Sequence, residues 1–283
     1  MVEPASAAPG GYLVPRDTLV VRGPHRKTWL DGLLTCAVAE VIPGTARYGL
    51  LLTKQGKIVS DVFLADSGTE LLVGVAPGRG PAVYELLDRY LVMEDAELVV
   101  PAAAPAWLLC VGAEAQPQAL AFGALGLRDL SASLLVVEAA PAGALGAASS
   151  AALLAQHGFG EFGTDFGERD NPHEASLDRV AVSWTKGCYL GQEVVCMQDM
   201  RGKVKRRLVA LAGDAGLLPA PPPGSAFPSV VGGSGEAVGQ VTSVHPSPGG
   251  ACLLASVASS ALESLGQLSV QGRPVRVVTS PGP

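Results

Sequence analysis

The sequence predicts an α+β fold that is followed by a small β-rich domain. Between residues 48 and 76 the apolar side chains follow a strand period, and turns containing glycine divide this segment into a three-stranded meander. Stretches with helical spacing precede and follow the meander, which is typical of helices packed on one face of a sheet. A proline-rich linker at residues 218–227 then leads into short apolar runs separated by turn signals.

The elements of the first region can be assigned in order. Residues 18–23 (TLVVRG) are predicted to form a strand, and the proline that follows is tolerated in the first turn of a helix. In WLDGLL the apolar residues recur at helical spacing, so the helix buries one face. After the meander, residues 83–93 are predicted to be helical, and AELVVPA is predicted to close the unit as another strand.

A second α/β portion is predicted at residues 107–208. Its strands are WLLCVG and SLLVVEA, and its helix is the alanine-rich stretch at residues 147–157. We therefore expect two domains. The first is an α/β region at residues 1–208, with the meander as an inserted lobe at about residues 46–125, and the second is a C-terminal β-domain at residues 209–283.

Composition excludes several classes of protein. Apolar residues make up 48% of the chain and charged residues only 16%, so it can bury a sizeable core and is not disordered in bulk. Its formal net charge of −6 is not that of a generic nucleic-acid binder, and direct nucleic-acid binding is not expected. The most apolar long stretch, residues 134–155, is interrupted by an acid and a proline, so no membrane span or membrane partner is expected.

Cysteine usage and the N-terminal sequence together predict a cytoplasmic protein. The five cysteines are an odd number, are widely spaced and include no C-x-x-C pair, which argues against a disulfide framework and against a metal site of the zinc type. The first twelve residues have neither a basic segment nor an apolar one, so they do not resemble a secretory signal.

Candidate functional residues are densest between residues 161 and 207. Six acids precede the sequence KGCYLGQE. Five basic residues follow it, all within the seven positions 201–207. The basic run is either a solvated strand or turn, or an electropositive patch for a polyanion such as a polyglutamate tail or RNA phosphates. The basic residues are Arg201, Lys203, Lys205, Arg206 and Arg207.

The motif KGCYLGQE combines a cation, a thiol, a phenol, an amide and a carboxylate with two glycines. Glycine permits close backbone approach or positive φ, so that polar side chains can converge on a ligand. Cys188 lies two residues after Lys186, and a nearby cation favours the thiolate form of a cysteine. The alternative for Cys188 is an inert buried thiol.

This motif, together with the basic run that follows it, resembles the signature of the YgfZ-type folate-binding proteins, which are relatives of the glycine-cleavage T-protein (aminomethyltransferase). VRGPHRKTWLDGLLT, YGLLLTKQGKIVSDVFL, LDRYLVMEDAEL, NPHEASL and GQVTSVHPSPGGACLLASV are also similar to segments of that superfamily, so the resemblance extends over nearly the whole chain. It implies a T-protein-like fold, with two α/β lobes around a central folate channel and a small C-terminal β-barrel. It also implies tetrahydrofolate, or a one-carbon derivative, as the cofactor.

The resemblance implies a role for the motif in maintaining iron–sulfur enzymes, including those that modify tRNA, with iron–sulfur proteins or assembly factors as partners. Cys188 would act as a redox thiolate or a transient cluster ligand. Apolar side chains of the meander and Tyr189 would sandwich the pterin, and Gln192 is a further candidate for folate binding. Asp61 or Glu193 would accept hydrogen bonds from pterin N–H groups. Lys186 or Arg201 would bind the glutamate tail.

A second hypothesis is aminomethyl transfer from a lipoyl carrier to tetrahydrofolate. This reaction requires a carboxylate near the folate nitrogen, and Asp61 is the candidate for it. T-proteins have two adjacent aspartates at this position, whereas this chain has serine followed by Asp61. They also continue Leu-Thr with Asn-Asp, where this chain has Cys36 and Ala37. A protein- or RNA-binding module that uses the basic run is the third hypothesis.

Overall fold

In a computed structural model, residues 11–111, 119–202, 204–217, 225–263 and 267–278 are described. They form two units, and each is discontinuous in sequence. The first combines the chain up to Lys54 with Val59–Ser150 and Val180–Gln192, and the second combines Gln55–Ile58 and Ala151–Arg179 with the chain from Glu193 onward. Lys203 and most of the predicted proline-rich linker (residues 218–224) lie outside the described residues.

The first unit contains a nine-stranded sheet. Its strands are β1 (Tyr12–Leu13), β2 (Asp17–Arg22), β3 (Gly44–Leu52), β4 (Ile58–Asp66), β5 (Leu71–Val75), β6 (Glu97–Val99), β7 (Ala106–Cys110), β8 (Ala121–Leu127) and β9 (Leu130–Val137), in the spatial order β1-β7-β9-β8-β3-β4-β5-β2-β6. Two helices, α1 (Arg26–Asp31) and α2 (Gly80–Asp88), and a 3₁₀ turn at Val38–Glu40 connect the strands of the meander half. The division between the units falls within α3 (Ala147–Gln156) and α4 (Gln192–Arg201).

The predicted meander is confirmed, and a helix lies on either side of it, although α1 ends at Asp31, before the predicted Leu33 and Leu34. Strands β3, β4 and β5 are neighbours, and β2 pairs antiparallel with β5. The helix expected at residues 83–93 is shorter, since α2 ends at Asp88. Beyond it the carboxylate of Glu94 accepts the N–H groups of Val92 and Met93, which holds these two exposed apolar residues in a turn.

Two parts of the nine-stranded sheet meet where β3 pairs with β8. Their pairing is parallel and short, with Gly44 opposite Gly123 and Thr45 opposite Ala124. A Cβ atom on Gly123 would lie 2.4 Å from the carbonyl carbon of Thr45, so only glycine allows the two backbones to approach this closely. Strand β8 was not predicted, because the sequence AFGALGL contains two glycines and no β-branched residue.

The core of the first unit is centred on the meander. All nine residues of β4 are buried, polar ones included, so this strand is covered on both faces. Trp107 on β7 is also fully buried, and its ring lies against Gly74 on β5, where a Cβ would be 2.9 Å from the indole. The indole N–H donates to Thr18 Oγ1 at 2.9 Å, which satisfies the one polar group of the ring.

The C-terminal β-barrel is confirmed in the second unit. Its strands are β10 (Arg206–Gly213), β11 (Ser229–Val231), β12 (Ala237–Ser247), β13 (Gly250–Ala258), β14 (Leu268–Val270) and β15 (Arg273–Val277), and they close in the order β10-β13-β12-β11-β14-β15. A short helix, α5 (Ser259–Glu263), follows β13, and a 3₁₀ turn at Ala215–Leu217 follows β10. Closure leaves the barrel sheet without free edges.

None of the helices in the described parts of the chain has the length and apolar character that a bilayer-crossing segment requires.

Candidate functional site

The motif KGCYLGQE forms a loop that ends in a helix. Residues 186–191 are irregular or in turns, and α4 begins at Gln192. Gly191 has a φ of +83°, a left-handed conformation that permits the sharp entry into the helix. Of the side chains with candidate chemistry, Cys188 is exposed and Tyr189 is buried, with only 6% of its surface accessible.

Lys186 is held inside the first unit by the turn that follows α1. Its side chain is only 4% exposed, and its ammonium donates to the backbone carbonyls of Asp31, Leu34 (3.0 Å) and Cys36 (2.9 Å). The carboxylate of Asp31 lies 3.0 Å from the same nitrogen. An ammonium has three N–H donors, and these four oxygens use all of them.

The same turn binds the motif region at three further points. The N–H of Leu190 donates to Gly32 O at 3.0 Å, and the N–H of Ser183 donates to Thr35 O at 2.9 Å. The hydroxyl of Thr35 donates to Ala181 O at 2.6 Å. Cys188 is therefore located on a short span of chain that is anchored on both sides.

Cys36 fills a space beside this turn that Gly49 leaves open. A Cβ atom on Gly49 would lie 2.6 Å from the sulfur of Cys36, which no side chain could occupy without displacing the thiol. Gly49 has no positive φ, so the glycine is required for space and not for backbone conformation. Burial raises the pKa of Cys36 to about 12, although the charge of Lys186 acts in the opposite direction.

The five cysteines differ in their surroundings. Cys36, Cys110 and Cys252 are buried, and burial raises the pKa of each, to about 12 for Cys36 and about 11 for Cys252. Cys196 on α4 is half-buried, and Cys188 is exposed. Thiolates are the reactive form of cysteine, so the buried three are unreactive at neutral pH, whereas Cys188 is open to reagents in solvent.

Asp61 lies in a buried cluster on β4. Its Oδ1 atom accepts a hydrogen bond from Arg16 Nη1 at 2.7 Å, and its Oδ2 accepts one from the Tyr48 hydroxyl at 3.2 Å. The side chains of Arg16 and Asp61 are only 9% and 4% exposed. The Arg16 guanidinium also lies over the ring of Phe63, 4.5 Å from its centroid, so the cation is both paired and stacked.

Tyr48 completes this cluster as a neutral phenol. Its ring centroid lies 5.1 Å from that of Phe63. Burial raises the pKa of Tyr48 well above its usual value, and the negative charge of Asp61 adds to this effect. The charges of Arg16 and Arg128 oppose the shift without reversing it. Tyr48 therefore remains protonated at physiological pH and donates a hydrogen bond to Asp61.

A second polar cluster, in the second unit, joins His173 to two acids. His173 Nε2 is 3.4 Å from an oxygen of Asp199, and His173 and Asp178 are each only 1% exposed. Their nitrogen and oxygen atoms, including those of Asp199, lie within 4.8 Å of one another. Arg207 donates to Asp178 at 3.1 Å and Arg179 to Asp199 at 3.5 Å, so two guanidiniums already balance the two carboxylates. This cluster could not be predicted from the sequence, since its members come from separate segments.

The predicted basic run is divided between surface and interior. Arg201 ends α4 and is exposed, as is Lys205. Arg206 begins β10 and donates to Ser256 O at 2.8 Å, while Arg207 is engaged with Asp178. A continuous patch of five free cations is thus not available in the described residues of this segment.

His245 on β12 is expected to make the stability of the barrel depend on pH. Burial lowers the pKa of His245 from its usual value of about 6.5, and nearby Asp165 offsets this only in part. Because the pKa of His245 is lower in the folded state than in the unfolded state, the contribution of neutral His245 to folding stability is complete above about pH 6.5. It is lost as the pH falls through the pKa of the folded state. We expect hydrogen exchange of the β12 and β13 amides to accelerate between pH 7 and pH 5, after correction for intrinsic rates, and His245→Gln to reduce this acceleration. Substitution of the half-buried His157 by glutamine is the control, and an equal effect of the two variants would contradict the assignment.

Comparisons with known proteins agree with this architecture. No family model matches the chain. An aminomethyltransferase from Thermosynechococcus vestitus (strain NIES-2133 / IAM M-273 / BP-1) is 28% identical over an alignment of 270 residues, and the match covers 81% of this chain and 70% of that protein. The crystal structure of glycine cleavage system aminomethyltransferase T from Bartonella henselae matches with a TM-score of 0.73 at 16% identity, covering 96% of this chain and 86% of that one. The chain has the T-protein fold. The resemblance inferred from the sequence is thus confirmed at the level of the T-protein-like superfamily, while these comparisons do not distinguish a YgfZ-type member.

Within the T-protein fold, the described residues fit some parts of tetrahydrofolate better than others. Its pterin offers N–H donors, and its glutamate carries carboxylates. Glu193 is an exposed acid in the first turn of α4, and Arg201 is an exposed cation in its last turn. They are eight residues apart, roughly 12 Å along the helix axis. Asp61 fits less well, because it is 2% exposed and its two oxygens already accept hydrogen bonds from Arg16 and Tyr48.

The structure brings together only some of the predicted site residues. The Lys186 ammonium lies 5.7 Å from the centre of the Tyr189 ring, and Tyr189 directly follows the exposed Cys188 in sequence. Gln192 is half-buried at the start of α4, and its N–H donates to Tyr189 O at 3.1 Å. Asp61 instead contacts Arg16 and Tyr48, which belong to other segments. The two partners of Asp61 were not predicted, because neither stands near it in sequence.

Proposed function

We propose that this chain is a tetrahydrofolate-binding auxiliary protein that acts in iron–sulfur cluster assembly or repair, and so in tRNA modification by iron–sulfur enzymes. The observation that carries the proposal is the placement of Cys188. The Lys186 and Tyr189 side chains on either side of it are buried, whereas this thiol is exposed on a span anchored at Lys186 and Leu190. An anchored, exposed thiol suits a redox partner or a transient cluster ligand.

In this function the residues of the chain have separate tasks. Glu193 would accept hydrogen bonds from pterin N–H groups, and Arg201 would bind the glutamate carboxylates with charge-assisted hydrogen bonds. The Tyr189 ring would pack against the pterin, and the Gln192 amide would supply a further hydrogen-bond donor and acceptor. Tetrahydrofolate would supply one-carbon or reducing chemistry when bound. Cys188 would act on the client protein as a redox thiolate or as a transient cluster ligand.

Aminomethyl transfer is the second candidate, and the similarity to the aminomethyltransferase of Thermosynechococcus vestitus favours it. The reaction requires a carboxylate that can approach the folate nitrogen. Asp61 was the predicted group, but its pairing with Arg16 would first have to break. Release of ammonia from an aminomethyl-lipoyl carrier, dependent on tetrahydrofolate, would establish this candidate in place of the first.

A binding titration combined with complementation tests the proposal. We expect the purified protein to bind tetrahydrofolate one-to-one in anaerobic calorimetry. Cys188→Ala should bind it with unchanged affinity, because the thiol is not among the groups assigned to the ligand. The same variant should fail to restore iron–sulfur enzyme activity in a strain that lacks the protein.

Cys196→Ala is the matched control, since Cys196 is half-buried on α4 and should not be required for restoration. Full restoration by Cys188→Ala would contradict the role of the Cys188 thiol. Absence of binding at millimolar tetrahydrofolate would contradict tetrahydrofolate as the ligand. These two outcomes are independent of each other.

A further inference from the structure

The contacts of Lys186 indicate a role that differs from ligand binding. Its ammonium is almost completely inaccessible and is surrounded by three carbonyl oxygens and one carboxylate. Binding a glutamate tail would require these contacts to break and the charge of Asp31 to remain buried without its partner. Such a separation is costly, because an uncompensated buried charge destabilises a fold strongly.

The carbonyls that surround Lys186 belong to one turn. Asp31 is the last residue of α1, and the chain from there to Cys36 forms the turn that follows the helix. Carbonyl groups at the end of a helix have no partner within it, and a cation placed there is favourable. The carboxylate of Asp31 also accepts the N–H groups of Val38 and Ala39, at 2.8 and 3.2 Å, so it fixes the far end of the same turn.

The positions of the anchors relative to Cys188 are the decisive observation. Lys186 holds the chain two residues before the thiol, and the Leu190 N–H holds it two residues after, both against the same turn. Between the anchors, Tyr189 is buried while Cys188 faces solvent. Removal of one anchor would lengthen the unsupported span and give the thiol many more orientations.

We propose that Lys186 is a positioning residue, whose buried ammonium fixes the conformation in which Cys188 is presented. The importance of a fixed Cys188 rests on the proposed function, but the positioning itself does not. Lys186 acts through hydrogen-bond geometry, and neither folate nor the client protein contacts it.

The first test uses the unmodified protein and asks whether Lys186 is accessible. Reductive methylation followed by peptide mass spectrometry should modify Lys186 at least roughly tenfold more slowly than the exposed Lys54, because labelling requires local opening. Addition of tetrahydrofolate should leave the Lys186 rate unchanged. Modification of Lys186 as fast as Lys54, or protection of Lys186 only when folate is present, would overturn the proposal.

The second test measures the mobility of the thiol. In a Cys196→Ser background, a nitroxide reagent should attach at Cys188, because the remaining three cysteines are buried with raised pKa values. We expect a broad, immobilised electron paramagnetic resonance spectrum, and Lys186→Met should convert it to a narrow, mobile one. Lys54→Met is the matched control and should leave the spectrum broad.

The outcomes separate positioning from ligand binding. Lys186→Met should retain tetrahydrofolate affinity to within about threefold, or about 0.7 kcal/mol, and should lose restoration of iron–sulfur enzymes. An unchanged, broad spectrum would overturn the proposal, and so would the loss of tetrahydrofolate affinity in a folded Lys186→Met protein. If Lys186→Met does not fold, the methylation of the natural protein still decides. If the protein binds no folate at all, the proposed function fails while both mobility and methylation still test the role of Lys186.

Discussion

Replacement of Asp61 by asparagine is expected to lower the free energy of unfolding of the first unit by about 3 kcal/mol, the scale seen when one member of a buried ion pair is removed. The asparagine would keep the shape of the side chain but leave the Arg16 guanidinium, only 9% exposed, without a negative partner. Stacking on Phe63 would not compensate for the loss of the carboxylate. Urea unfolding followed by tryptophan fluorescence measures the effect, since all three tryptophans belong to the first unit.

An exposed pair of the same chemistry gives the control. Asp214 and Arg273 are 2.8 Å apart, nearly the same distance as Asp61 and Arg16, but about half of each side chain is exposed. Asp214→Asn should have little effect, because solvent screens surface ion pairs. Arg16→Met combined with Asp61→Leu should recover much of the stability lost in Asp61→Asn, since no buried charge remains. Equal losses in Asp61→Asn and Asp214→Asn would show that burial of the pair is unimportant.

The Asp61 variant also bears on function. If the protein catalysed aminomethyl transfer with Asp61 as the required carboxylate, then conditions that restore folding to Asp61→Asn would not restore ammonia release. In the auxiliary function proposed here, a folded Asp61→Asn protein should still support iron–sulfur enzymes. The same variant, measured with both assays, therefore separates a structural pair from a reacting group.

Replacement of Gly123 by alanine is expected to cost about 3 kcal/mol, at the upper end of what overpacking produces. The new methyl group would lie 2.4 Å from the backbone of Thr45, and a backbone cannot rotate away as a flexible side chain can. The β3–β8 pairing would have to separate, which would expose strand edges in the middle of the nine-stranded sheet. Thermal unfolding together with hydrogen exchange of the β8 amides measures both effects.

Gly126→Ala is the matched control for this prediction. Gly126 is on the same strand, and no atom lies within 4 Å of the position that its Cβ would take. Alanine there should be neutral or slightly stabilising, because glycine within a strand carries an entropic cost. A loss at Gly126 as large as at Gly123 would mean that the strand tolerates no side chain at either position, and close approach to β3 would not be the cause.

The sequence predicted the local elements of the fold better than the contacts of the site. The meander was recognisable because short apolar runs and glycine turns are local signals, and the β-rich C-terminal domain because a proline-rich segment precedes its short strands; the barrel followed only from the resemblance. Strand β8 was missed because two glycines hide its period, and α2 ends at Asp88 although apolar residues continue beyond it. The pairing of β8 with β3 shows a long-range contact outweighing propensity.

The site shows the limit of sequence reasoning more clearly. Cys188 could be singled out, because the motif surrounding it is distinctive. Lys186 or Arg201 was expected to bind a glutamate tail, and the structure shows that the acceptors of Lys186 are about 150 residues earlier in the chain. Asp61 or Glu193 was expected to face a pterin, and the structure shows that Asp61 is paired with Arg16, 45 residues away. A spacing pattern cannot reveal that a charge is already neutralised by a residue that only the fold brings near it.

The contact between Cys36 and Gly49 has a consequence for how this sequence can vary. The two residues share one volume, since the Cys36 sulfur lies where a side chain at position 49 would begin. Evolution therefore cannot change them independently. A larger residue at position 49 would be accepted only after position 36 had become smaller, so paired changes at these two sites would mark lineages in which the turn that holds Lys186 has been rebuilt.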